Sequence, residues 1–230
     1  MKRELIVIWT AICLAPNLCL AAPLTYDVAA DFSATNNPNG VWSYGWSSTL
    51  TSALNVYPDK SNTFLDNSGI DVWADLGHIS WGCPYAGHNG TGNAVSIYGY
   101  IYQPGQFAFH PGESGEYSHA RWTAPYTGTF DIAVMFTGID FLREITTDVH
   151  VLHNDTSLFD GLVNGFGNTS SFSTTVSVSM GDIIDFAVGY GSNQYFAGDT
   201  TALSATITPE PATLFLLGLG GLALLRKRRA

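Results

Sequence analysis

Thr129-Phe130-Asp131-Ile132-Ala133-Val134-Met135-Phe136 is the stretch that decides the fold. Phe130, Ile132, Val134 and Phe136 recur at every second position, and a period of two places all four on one face of an extended chain. That face has to be buried, while Thr129 and Asp131 suit water. An amphipathic helix needs apolar spacings of three and four, and no window of useful length shows them.

Working outward, Gly138 and Asp140 bring turn chemistry, and Asp148 to Leu152 reads as another strand. Asn154-Asp155-Thr156 turns the chain toward Leu158-Phe159. Val176 and Val178 lead into Met180-Gly181-Asp182, and Ile184, Phe186 and Val188 lead out. This predicts a hairpin, with Gly181 supplying the positive φ of a tight turn. Leu203, Ala205 and Ile207 alternate with Ser204, Thr206 and Thr208 as a closing strand. Toward the N-terminus, Val41 to Trp46, Val72 to Ala74, Ile79 to Trp81, Val95 to Tyr102 and Gln106 to Phe109 are short β-favouring runs. Asn36 to Gly40, Gly87 to Gly92 and Pro111-Gly112 separate them. No internal repeat has a fixed spacing, which excludes a propeller or a solenoid. The expected fold is all-β: a two-sheet antiparallel β-sandwich with jelly-roll-like winding.

Both ends depart from this pattern. Lys2 and Arg3 precede an apolar run from Leu5 to Leu20, and Cys19-Leu20-Ala21-Ala22 offers small residues for cleavage. Residues 1–21 therefore read as a secretory signal peptide with a helical apolar region. At the other end, Pro209-Glu210-Pro211 stops the last strand, because proline fixes φ and cannot donate. An apolar run from Ala212 to Leu225 follows, then Arg226, Lys227, Arg228 and Arg229. As a helix these fourteen residues span about 21 Å, short of a hydrocarbon core of ~30 Å. The basic cluster belongs on the cytoplasmic side, leaving the body outside. A short helix suits a transient anchor in the inner membrane. The division is 1–21 signal peptide, 22–208 sandwich and 209–230 sorting and anchor segment.

Without its ends the chain is strongly acidic. Seventeen of its nineteen acidic residues lie in the body, but only Lys60, Arg121 and Arg143 of its nine basic ones, so the body carries about −14 against −10 for the whole chain. Such a body has no electrostatic footprint for nucleic acid. Cys13 and Cys19 leave with the signal peptide, and Cys83 alone cannot form an internal disulfide.

Candidate chemistry is sparse. Trp42, Tyr44 and Trp46 sit at alternate positions and share one face of a strand. If solvated they form a glycan-binding platform; if buried they are core. His78 and His88 flank Cys83 at a spacing that is no established metal signature. His150 and His153 differ by an odd number and face opposite sides of a strand. His110 and His119 bracket Glu113 and Glu116, the best candidate for a hydrolytic carboxylate pair, although an acidic turn has the same composition. No nucleophile elbow, zinc-protease helix or phosphate loop is present. Asn89-Gly90-Thr91, Asn154-Asp155-Thr156 and Asn168-Thr169-Ser170 read as surface turns.

The three-part tail of Pro209, Glu210 and Pro211, an apolar run and a basic cluster resembles the PEP-CTERM sorting signal of exported bacterial proteins. Phe107 to Thr208 is similar to the jelly-roll bodies of other such proteins. The likeness lies in Phe109-His110-Pro111-Gly112, Arg121-Trp122-Thr123-Ala124-Pro125, Thr127-Gly128-Thr129-Phe130, Asp148-Val149-His150-Val151 and Asp185-Phe186-Ala187-Val188-Gly189. Asp31-Phe32-Ser33 and the segment from Asn37 to Gly45 are similar as well. The resemblance implies export, recognition of the tail by an exosortase-type sorting protease, and association with the cell envelope or an exopolysaccharide matrix. Some tails of this type have been labelled the C-terminal domain of ice-binding proteins, but the sequence shows no regular threonine array. By analogy with carbohydrate-binding sandwiches, Asp27 or Asp31 with Asp199 would hold a structural Ca²⁺; no other cofactor is expected. Three roles follow: a non-catalytic surface or matrix protein, a carbohydrate-binding module with a defined glycan site, and a glycoside hydrolase. The first is preferred, the hydrolase least.

Overall fold

A computed structural model describes residues 25–63, 65–66, 68–78 and 83–210. The signal segment, the strand expected at Ile79 to Trp81, and the tail from Pro211 onward lie outside the described residues. In chain order the strands are β1 (Tyr26–Asp27), β2 (Trp42–Ser47), β3 (Asn55–Val56), β4 (Asp59–Ser61), β5 (Asp71–Ala74), β6 (Tyr85–His88), β7 (Val95–Ile97) and β8 (Tyr100–Tyr102). There follow β9 (Phe107–His110), β10 (Tyr117–Thr123), β11 (Gly128–Gly138), β12 (Thr146–His153), β13 (Thr156–Asn164), β14 (Thr169–Val178), β15 (Ile183–Gly189) and β16 (Thr201–Pro209). Among the described residues there is no helix, and none long and apolar enough to cross a membrane.

Two antiparallel sheets face each other. One runs β14-β11-β16-β9-β6-β5-β4, with β1 also pairing β16; the other runs β13-β12-β15-β10-β2-β3. From β9 onward nearly every connection changes sheet, which is jelly-roll-like winding. Phe130, Ile132, Val134 and Phe136 of β11 all point inward and are buried, as their period requires. They meet Val149 and Val151 of β12, Ile184, Phe186 and Val188 of β15, and Trp122 of β10 in one continuous core. The outward row of β11 is exposed at Asp131, Ala133 and Met135.

A second core explains why Phe107-Ala108-Phe109-His110 is buried on both faces. Phe107 and Phe109 enter the main core. On the outer side Ala108 joins Val72, Tyr85, Ile97 and Tyr102, where the β7–β8 ribbon folds over the sheet. Asn89 belongs to this cover. It is fully buried, its amide donating to the carbonyls of Asn93, Tyr102 and Gln103, so this sequon is no surface turn.

One of the two expected turns plays a different role. Met180-Gly181-Asp182 has Gly181 at φ 91°, yet β14 pairs with β11 while β15 pairs with β10 and β12. The turn carries the chain between sheets and closes no hairpin. Asn154-Asp155 does close one, with His153 opposite Thr156 and φ of 48° and 62° at the two central residues. Positive φ at both positions matches the right-handed twist of paired strands. Local turn chemistry specifies the bend; which sheet the chain enters next is set by the core.

Candidate functional site

Trp42, Tyr44 and Trp46 do share a face of β2, and that face is the inner one. Trp42 is 1% exposed and Tyr44 0%. Trp42 meets Phe186, and Tyr44 meets Phe107 with ring centroids 5.3 Å apart. Only Trp46 is half-buried. The His78 ring covers it at 3.7 Å in a 9° stack, and its Nε1 donates to Asp75 at 3.3 Å. The three residues form no platform, because the inner face of a sandwich needs large rings to fill it.

The carboxylates considered for Ca²⁺ are likewise separated. Asp27 Oδ1 accepts the backbone N–H groups of Ala29 and Ala30, and Asp31 Oδ2 accepts those of Asp27 and the Trp42 indole. Asp27 lies opposite Thr206 on β16, seven residues from Asp199. β16 begins at Thr201, and the five residues from there to Thr206 alone cover roughly 17 Å at ~3.3 Å per residue, so these carboxylates are not brought together. Asp199 is buried near Thr146 and Thr147, which donate to its Oδ1, while its Oδ2 has no partner among the described residues. Burial, with Asp148 and Asp140 nearby, pushes its carboxyl up to about 7. Among the described residues no group of three or more His, Cys, Asp or Glu is placed to hold a metal.

The histidines disperse in the same way. His78 lies 3.2 Å from Glu116, His88 stacks on Phe32, and Cys83 is a buried thiol. His150 sits between Asp148 and Asp160, and burial opposed by these two carboxylates leaves its pKa raised. His153 approaches Asp182 instead. Glu116 is bonded to His78 and the Ser114 N–H.

One cleft gathers Cys83, His110 and Glu113, which the sequence singled out, with Tyr98, Arg143 and Tyr195, which it did not. It has a volume of about 560 Å³ and is lined by Cys83, Tyr98, Tyr100, His110, Glu113, Arg143, Tyr195, Phe196 and Ala197. Five segments converge there: Cys83 just ahead of β6, the β7–β8 turn, the end of β9 with its following loop, the β11–β12 loop and the β15–β16 loop. Asp140, 0% exposed, ties two of them together. Its Oδ1 accepts the N–H groups of Leu142 and Arg143, and its Oδ2 receives Arg143 Nη1 at 3.1 Å. The same Nη1 donates to the Tyr98 carbonyl at 2.6 Å. Gly99, at φ 103°, allows this approach, since a Cβ there would stand 2.9 Å from Asp140 Oδ1.

Tyr98 and Tyr195 are 55% and 60% exposed, so both present rings to solvent at the cleft. Phe196 packs against Tyr195 and edge-on to His110. His110 is buried, which pushes its pKa down to about 4, and its Nδ1 lies 2.7 Å from the Pro111 carbonyl. A carbonyl only accepts, so Nδ1 carries the proton and Nε2 is the acceptor of a neutral ring. Burial raises the Tyr100 hydroxyl to about 12 and keeps it protonated. The cleft thus combines ring faces, neutral donors and acceptors, one guanidinium and the carboxylate of Glu113. Two signals could have drawn attention to it: Arg143 is one of three cations in the body, and Tyr195-Phe196 interrupts an otherwise polar loop.

Outward residues form a further feature absent from the linear sequence. Pairing of β14, β11 and β16 places Thr129, Thr137, Thr169, Thr175, Thr206 and Thr208 on one outer face. No single strand carries such an array; three strands in register assemble it.

Comparison with known proteins adds the following. Residues 208–229 match the PEP-CTERM protein-sorting motif, which marks the protein for export and sorting to the cell envelope. No match was found among curated proteins. Solved structures with similar folds include CBM51 from Clostridium perfringens GH95 in complex with methyl-galactose (16% identity over 53% of this chain and 78% of that one, TM-score 0.34). A family 35 carbohydrate binding module from Clostridium thermocellum is similar at 12% identity over 50% of this chain and 75% of that one, TM-score 0.28. Rabbit GITRL shows 13% identity over 40% and 70%, TM-score 0.28.

Proposed function

We propose that this exported protein is a non-catalytic glycan-binding sandwich, delivered to the envelope through its C-terminal segment and associated there with exopolysaccharide. The observation that carries the reading is the cleft bearing exposed Tyr98 and Tyr195. Flat aromatic faces stack on the apolar faces of sugar rings, and nearby polar groups bond the hydroxyls. A volume of about 560 Å³ lies within the range of small-ligand sites, roughly 300–1,000 Å³. The non-catalytic part rests on charge. Glycoside hydrolysis uses two carboxylates across the scissile bond, whereas the cleft lining contributes Glu113, and Asp140 behind it is engaged by Arg143.

An exosortase-type protease and transient residence in the inner membrane belong to the same proposal, and follow from the sorting motif. The test is glycan-array binding of the protein, with Tyr98→Ala and Tyr195→Ala alongside. A defined sugar should bind, and each variant should weaken it about tenfold or more, since base–aromatic stacking, the nearest measured analogue, is worth ~1–3 kcal/mol per ring. Melting temperatures should stay unchanged, because both rings are exposed. Absence of binding across a broad array would leave a structural matrix protein without a sugar site.

A further inference from the structure

Charge is distributed unevenly around the cleft. Of the body's three cations, Lys60 lies on edge strand β4 and Arg121 on β10, where Asp185 holds it in two hydrogen bonds. Among the described residues only Arg143 brings a positive charge to the cleft lining, and its Nη1 is committed to Asp140 and to the Tyr98 carbonyl. Arg143 and Asp140 cancel, so the net charge of the lining is that of the Glu113 carboxylate. The surrounding body adds about −14, a field that draws cations toward an open depression and repels anions.

His110 adds an independent preference. It is 1% exposed and lines the cleft. With its Nδ1–H given to the Pro111 carbonyl, Nε2 is left as an acceptor, and it has no hydrogen-bond partner among the described residues. An acceptor held in a buried ring without a partner gains free energy when a donor arrives. A carboxylate has about four acceptor positions, so Glu113 can take a further donor as well. The exposed rings of Tyr98 and Tyr195 turn the same way, since the face of an aromatic ring attracts a cation.

We propose that the sugar this cleft takes bears a free amine: an amino sugar within a cationic stretch of exopolysaccharide, its ammonium met by Glu113 and His110 Nε2 while its ring lies against Tyr98 or Tyr195. The inference rests on the glycan-binding reading above and narrows it. An ammonium has three donors and no acceptor, which matches a site whose net charge is negative and whose buried ring nitrogen accepts. Acetylation of the amine removes the charge and two of the three donors. A uronic acid would engage Arg143 alone, against Glu113 and the field of the acidic body. Charge on the ligand and charge on the protein therefore favour the same pairing at long range and at contact.

The test titrates the full chain, in mild detergent at about pH 6, with two trisaccharides that differ at nitrogen alone: tri-glucosamine, whose amines are charged, and tri-N-acetylglucosamine. The amino form should bind about tenfold tighter, the effect of one charge-assisted hydrogen bond. Glu113→Gln keeps the size of the side chain and should bring the two ligands within about threefold of each other. Its melting temperature should stay that of wild type, because Glu113 is exposed. Asp155→Asn, at the β12–β13 turn and outside the cleft lining, removes the same unit of charge and should keep the wild-type preference. Equal or tighter binding of the acetylated sugar would overturn the inference while the glycan-binding reading stands. So would an unchanged preference in Glu113→Gln, or an equal loss in Asp155→Asn, which would mean attraction to the acidic body as a whole. Binding of other sugars on the array with neither trisaccharide bound would overturn it in the same way. Failure of every sugar would instead remove the glycan-binding reading, and this inference with it.

Discussion

Trp42 and Tyr98 are both aromatic, yet one fills the core and the other faces solvent, and their substitutions should separate cleanly. Trp42→Ala removes a 1%-exposed ring between Phe186 and the Asp31 carboxylate. Large-to-small core changes of this size cost about 3–5 kcal/mol, so urea unfolding should shift by that amount. A cost below about 1 kcal/mol would contradict the burial described. Asp199 gives a second prediction with a definite sign. Its folded pKa near 7 lies above the ordinary aspartate value. Between about pH 4 and 7 the folded state keeps a proton that the unfolded chain has released, so stability falls as pH rises through that window. Asp199→Asn keeps the acceptor for Thr146 and Thr147 and cannot ionise. Its melting temperature should match wild type near pH 4 and exceed it increasingly up to about pH 7. A constant difference across this range would refute the assignment.

At the scale of elements, β16 joins the sandwich to the sorting motif. Thr208 and Pro209 lie within the strand, in register with Asp131 and Phe130, and the Glu210 N–H donates to Thr129. The motif that starts at residue 208 therefore begins inside the sheet. A protease needs an extended, accessible chain, and opening the end of β16 would cost its pairing with β11. Processing is accordingly expected at or beyond Glu210, leaving the sheet intact. Mass spectrometry of the mature protein should find a C-terminus there; a retained Arg226 to Arg229 cluster would exclude processing. Elements also show where local reading succeeds. The β12–β13 hairpin was legible because Asn154 and Asp155 tolerate positive φ and both arms alternate. The turn at Gly181 has equally good chemistry but no hairpin, since β14 and β15 bury their faces from opposite sides of the core.

For the molecule as a whole, the jelly-roll-like winding distributes function to its margins. The inner faces are committed to packing, so recognition falls to loop clusters at the ends and to open edges. The cleft lies where five segments meet, with Asp140 and Arg143 tying two of them together; β14 lies at the side, where the sandwich leaves a seam half covered.

Alternation of apolar residues determined the strands, the all-β class and the inward face of β11, because period two acts on each strand by itself. Proline placement and the charged tail determined the address in the same local way. Whether Trp42, Tyr44 and Trp46 were platform or core could not be decided locally, since a strand has two equivalent faces until a second sheet covers one. The cleft was equally hidden: Tyr98, His110, Arg143 and Tyr195 lie up to nearly a hundred positions apart in the sequence. Only the crossing of the chain between two sheets brings their loops to one end, because long-range packing, not local preference, sets which loops become neighbours.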